Sequence, residues 1–292
     1  RQAHGFRRLT WVKLREGCWK RGAPHTPRMT WIAIYFAVGA FIGFLAGLLG
    51  IGGGMTLVPV LASMFTAQHF APDHVVHLAL GTGMASIMFT SSASVRAHHR
   101  LGGVDWSLVR RVGPAMVAGT LLSTALSAWI PQRALALAFS VIVYAGATQI
   151  LLGKKPSAAR TLPATPALIA IGVVIGIVCG LVSAGGAFLT VPFMLFCGVS
   201  ITTAIGTGAA LGVPVAVMGT RGYVFSGWSV TGLPPLALGF VYGPALLGIV
   251  AGSVLTAPIG ARTAHRLPVG ILRRVFACLL YVLATKMLWT YL

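Results

Sequence analysis

Acidic side chains are nearly missing from this chain: Glu16, Asp73 and Asp105 are the only three in 292 residues, and none falls inside a long apolar run. That argues against a carboxylate proton relay of the kind that pumps hold at membrane depth. Charge of either sign is scarce, at 9% of residues against 57% apolar, with a mean hydropathy of +0.87. Such a chain cannot bury its hydrophobic surface inside a water-soluble globule of this length, so it reads as an integral membrane protein. Cysteine is sparse too. Cys18, Cys179, Cys197 and Cys278 show no paired spacing, which implies no disulfide framework, and three of them sit in apolar runs as small hydrophobes. No His, Cys, Asp or Glu spacing suits a metal, and no nucleophile stands beside a base. Neither an enzyme, a metal centre nor a cofactor is expected. The formal charge of +19 comes from basic residues spread between apolar segments rather than gathered on one domain, so they read as topology signals and nucleic acid is not an expected partner.

Glycine, in contrast, is abundant and patterned. Twice, 133 residues apart, a long apolar stretch carries three glycines at four-residue spacing, then breaks into a glycine-dense kink ending in proline: GAFIGFLAGLLGIGGGMTLVP (Gly39 to Pro59) and GVVIGIVCGLVSAGGAFLTVP (Gly172 to Pro192). Backbone leaves its hydrogen-bond ladder inside a bilayer only where protein buries it or it lines a cavity, so a duplicated interruption points to a transporter's binding site. Further matches extend the repeat. ALGTGMA at 79–85 recurs as AIGTGAA at 204–210, GPAMVAGTLL from Gly113 as GPALLGIVAGSVL from Gly243, and FSVIVYAGATQIL (139–151) as FACLLYVLATKML (276–288).

A membrane span needs about 20 apolar residues. Eight candidates lie near 31–51, 75–95, 108–130, 134–152, 166–184, 202–220, 233–257 and 269–291, while 54–66 and 187–198 are too short and read as re-entrant or half helices after each break. The expected fold is an all-α integral membrane protein, a tandem repeat of about four transmembrane helices plus a short re-entrant or half helix in each copy. Its parts are a basic cytosolic tail (1–28), a first repeat (29–152), a cytosolic linker (153–165) and a second repeat (166–292). The tail is either an interfacial amphipathic helix or a disordered basic segment. Placing the tail, the 96–111 loop and the linker in the cytosol makes the copies parallel, at odds with Arg262, Arg266, Arg273 and Arg274 in the 258–274 loop; an inverted arrangement resolves that loop and misplaces the other two.

Candidate binding residues follow from the breaks. In the first, Gly50, Gly52, Gly53 and Gly54 leave backbone N–H groups bare, and a helix restarting near Gly54 aims its positive end at the same spot, which suits an anion. Thr56 adds a hydroxyl. The second break offers Ser183, Gly185, Gly186 and Thr190. The six glycines at four-residue spacing ahead of the breaks are helix-packing faces. Thr82 and Thr207 of the GTG pair bond either their own helix backbone or a substrate oxygen. Arg96, His98 and His99 form a cationic entrance in the first repeat, with Arg221 its counterpart in the second. Asp73 is expected to cap the helix after it, and the histidines at segment ends to be solvated or interfacial.

With these motifs in view, residues 31–291 resemble the sulfite exporter TauE/SafE family of multi-pass permeases, most specifically at LAGLLGIGGGMTLVP. The second copy, GLVSAGGAFLTVP, departs from the signature where Ser183 and Ala187 replace its first and last glycines. The resemblance implies transport of sulfite, sulfonates such as sulfoacetate, or other small sulfur-containing anions across the cytoplasmic membrane. Partners are then a small anion and the lipid bilayer, with a second copy of the chain left open. An anion leaving a negative cytosol gains about 2.3 kcal/mol per charge per 100 mV, so export needs no coupled ion.

Overall fold

The computed structural model of the chain describes residues 28–49, 54–152, 162–264 and 269–291. Residues 32–292 make one compact unit; of the preceding unit only Arg28–Trp31, the first turn of a helix, is described, so the basic tail lies outside the described residues. The described helices are α1 (Arg28–Leu49), α2 (Gly54–Ala67), α3 (Val75–Arg100), α4 (Trp106–Ala125), α5 (Gln132–Leu152), α6 (Thr165–Val182), α7 (Ala187–Phe196), α8 (Ile201–Gly227), α9 (Gly243–Ala264) and α10 (Val269–Tyr291). A two-residue hairpin, β1 (Ala237–Leu238) with β2 (Val241–Tyr242), precedes α9.

Seven of these, α1, α3, α4, α5, α6, α8 and α9, are long and apolar enough to cross a membrane. The chain is an all-α multi-pass membrane protein. α10 has the length but carries Arg273, Arg274 and Lys286 and by composition is not among the seven. α2 and α7, with 14 and 10 residues, rise about 1.5 Å per residue and stop partway across, as half helices. At the centre stand α3 and α8, whose spans are 78% and 61% buried, against 22–44% for the others.

Glycine decides how the outer helices meet that centre. On α6, Gly176 lies against the backbone of Met116 and Gly172 against Val112 and Ala115, so α6 packs on α4. On α1, Gly39 and Gly43 lie against the backbone of Ile249 and Ser253, so α1 packs on α9. The first helix of each repeat therefore docks on the fourth helix of the other. The close approach brings hydroxyls within reach of foreign carbonyls: Thr120 donates to Gly176 O at 2.9 Å and Thr256 to Ala40 O at 2.6 Å. This is the small-residue packing expected of the spaced glycines; that of Gly47 lies outside the described residues.

Contacts along the helices give the direction of the chain, and of the two arrangements left open by the sequence they match the inverted one. Tyr35 near the start of α1 meets Phe65 at the end of α2, with ring centroids 6.4 Å apart, and accepts a hydrogen bond from Gln68. The chain thus returns to the face it left, and α3 carries it across. At that His74 face, Val76 N donates to Gln132 Oε1 (3.0 Å), Ser127 bonds Ser226 (3.0 Å) and Thr66 bonds Tyr291 (3.1 Å). At the opposite Arg100 face, Gly103 lies beside Gly206 and Thr202. Equivalent helices of the two repeats run in opposite senses: α3 ends at the Arg100 face, and α8 begins there.

The inverted course puts the 96–111 loop, both ends of the linker and the end of α9 on one face, where Arg96, Arg100, Arg110 and Arg111 gather. Leu101→Cys and Trp228→Cys, both at exposed positions, are expected to label from opposite sides with a membrane-impermeant maleimide in a cysteine-free background. Parallel copies would put both on the same side.

The acids also exchange roles. Asp73 lies within a short 3-10 turn (Pro72–His74) and caps nothing, whereas Asp105 caps α4 by accepting from Ser107 N (2.9 Å) and Leu108 N (3.0 Å).

Candidate functional site

The second break is fully described. Ser183 ends α6 with φ +49°, the left-handed region, while Ala184 N donates to Cys179 O at 3.0 Å and Ser183 N to Gly180 O at 3.5 Å. This helix-ending pattern usually falls to glycine, which carries no Cβ penalty there. Helix does not resume until Ala187, and the amides of Gly185, Gly186 and Ala187 find no acceptor among the described residues. Ser183 is fully buried, and its Oγ has no hydrogen-bond partner. Leaving a buried hydroxyl unsatisfied costs about 1–3 kcal/mol, so a ligand oxygen at this point would gain a donor already in place.

Of the first break, Gly50, Gly52 and Gly53 lie outside the described residues. Gly54 opens α2 and is buried directly against the carbonyl of Ser183 and the side chain of Ile87, so the two breaks touch. Thr56, in the first turn of α2, is buried. A Cβ on Gly83 would stand 3.0 Å from Ser183 Oγ, so the second glycine of GTG leaves that hydroxyl its room. A Cβ on Gly185 would meet Ile87 at 3.4 Å and Ser91 Oγ at 4.0 Å. Ser91 is buried beside both Gly185 and Gly212, yet sequence reasoning passed over it. Its counterpart in the second repeat is Ala216, so duplication gave no signal. Thr190 is turned away, donating to Gly186 O.

The surroundings supply donors and dipoles without net charge. Segments 54–58, 79–91, 183–190 and 204–216 contain no Lys, Arg, Asp or Glu. The helices α2 and α7 begin here, and their N-termini carry partial positive charge.

The sulfite exporter TauE/SafE family matches residues 35–287. The chain belongs to that family. Among its relatives are a probable membrane transporter protein of Haemophilus influenzae, 34% identical over 259 residues (88% of this chain, 98% of the relative), and the probable membrane transporter protein YdhB of Bacillus subtilis, 25% identical over 249 residues (83% and 92%). No solved structure matches.

In this TauE/SafE chain the GTG threonines bond across the repeats. Thr82 Oγ1 accepts from Tyr242 N and Thr207 Oγ1 from Asp105 N, each at 3.0 Å. The preceding glycines, Gly81 and Gly206, lie against the carbonyls of Phe240 and Gly103 in the same two loops. Each GTG therefore holds the loop that leads into the other repeat's fourth helix. Thr207→Val, which leaves the Asp105 amide without its acceptor, is expected to cost about 1–3 kcal/mol, read as a lowered Tm. Thr207→Ser should keep most of the stability.

The four entrance residues divide between the two faces of the TauE/SafE bundle. Arg96, His98 and His99 lie at the Arg100 end of α3, where His99 Nδ1 accepts from Trp106 Nε1 at 3.2 Å. Arg221 is exposed near the other end of α8, with Nη1 3.6 Å from Met218 Sδ. A cavity of about 960 Å³ opens instead at the His74 face, lined by His69, Asp73, His74, His77, Arg133 and Tyr291 among others. His77 is not the solvated histidine expected from sequence: it is 3% exposed, stacks on Phe240 and donates from Nε2 to Ser127 O (3.0 Å) and Ile130 O (3.2 Å). It stands six residues before Gly83, about 9 Å along α3, so the cavity approaches the level of Ser183.

Proposed function

We propose that the chain is a permease that carries small sulfur-containing anions, such as sulfite or sulfonates, outward across the cytoplasmic membrane under the membrane potential. The carrying observation is the meeting of the two interruptions at mid-depth, where Gly185, Gly186 and Ala187 offer bare amides beside the unpartnered hydroxyl of Ser183. Membership in the TauE/SafE family supplies the sulfur chemistry. Gly54 and Thr56 complete the site from the first repeat, Ser91 joins from α3, and the cavity at the His74 face is the exit. Transport requires the two breaks to part, since Ser183 is enclosed as it stands.

The test is efflux of sulfite from proteoliposomes holding the full chain, with an inside-negative potential imposed by a potassium gradient. Release should exceed that of protein-free vesicles and steepen with potential. Flux equal to the protein-free control, or indifferent to potential, rejects this function.

A further inference from the structure

We infer that the site selects singly charged oxyanions, hydrogen sulfite and alkylsulfonates, and rejects divalent ones such as sulfate, thiosulfate and fully deprotonated sulfite. This deepens the reading above and rests on it. The enclosing segments contribute no cation: Gly83 lies against the unpartnered hydroxyl, Gly54 against the Ser183 carbonyl, and Ile87, Ser91 and Gly212 beside Gly185 and Gly186. The attraction comes from amide dipoles, helix ends and hydroxyls. The cost of moving an ion out of water grows with the square of its charge, so a dianion loses about four times what a monoanion loses. Fixed dipoles return an attraction that grows only in proportion to charge. Without an Arg or Lys to match its second charge, the dianion is excluded by solvation.

The two charge states also differ in hydrogen bonding. A sulfonate presents three oxygens, all acceptors, on a single negative charge, which matches a site made of donors. Hydrogen sulfite adds one proton of its own.

Selection by charge makes the pH dependence a property of the solute. Charged and imidazole groups on the surrounding helices lie toward their ends: on α3, His77 toward one end and Arg96, His98, His99 and Arg100 at the other; on α4, Arg110 and Arg111; on α8, Arg221; the titratable groups nearest Ser183 are the Cys179 thiol one turn back on α6 and Tyr223 on α8, whose hydroxyl donates to Gly180 O at 2.8 Å. Sulfite changes from mono- to dianion near neutrality, whereas methanesulfonate stays a monoanion throughout. At fixed total concentration, sulfite flux rises on the acid side of its second proton step, while methanesulfonate flux stays flat.

Proteoliposomes with the full chain should therefore be loaded in turn with labelled methanesulfonate, sulfate and sulfite, and flux measured below and above that step. The expected result is methanesulfonate flux roughly tenfold or more above sulfate, with sulfite alone dependent on pH. Equal methanesulfonate and sulfate fluxes overturn the charge selection while leaving the permease reading standing. A methanesulfonate flux that follows pH in step with sulfite overturns it as well, by placing the titration in the protein. Absence of flux for all three removes the permease reading and this inference together.

Discussion

Gly176→Leu is expected to abolish the folded protein. A side chain there must enter the backbone of Met116, and α6 can accommodate it only by lifting off α4, which also breaks the bond from Thr120 Oγ1 to Gly176 O. Interior glycine contacts of this kind have no flexible neighbour to yield, so the loss should exceed about 4 kcal/mol, a large part of the 5–15 kcal/mol that holds a typical domain together. Size-exclusion profiles of the detergent-extracted variant would show aggregation in place of a single peak. Val174→Leu, two positions away on the exposed side of the same helix, should leave the profile unchanged. A normal profile for Gly176→Leu would mean that α4 and α6 are not in backbone contact.

Ser183→Gly should separate binding from folding. Glycine accepts φ +49° without the penalty that serine meets in the left-handed region, so Tm should hold or rise. The variant also gives the second break the residue found at the matching position of the first, Gly50. The lost hydroxyl is a hydrogen bond to a charged group, worth about 1.5–3 kcal/mol, so affinity for methanesulfonate should fall roughly 10- to 100-fold. Ligand-induced thermal shift and proteoliposome flux would read the two halves of the prediction. Unchanged affinity in a well-folded protein would remove Ser183 from the site.

The sequence made the interruptions legible because clustered glycines running into a proline exceed what a packing face needs, and the four-residue spacing of Gly172, Gly176 and Gly180 gave the packing face of α6 directly. The lengths of α2 and α7 followed from the same pattern. Three features escaped for a common reason. The docking of α1 on α9, the bonds from Thr82 to Tyr242 and Thr207 to Asp105, and the approach of Ser91 to Gly185 all join residues far apart in the chain. Local periodicity carries no record of them. His77 looked exposed because its partners, the carbonyls of Ser127 and Ile130, belong to a loop fifty residues on.

The exchange of first helices between the repeats has a consequence for biogenesis. While the ribosome is still making the second half, the glycine stripe of α1 has no α9 to cover it, and α4 waits for α6. A polypeptide truncated in the 153–161 stretch should therefore be cleared by quality-control proteases, whereas the two fragments produced together in one cell should reassemble through these reciprocal grips.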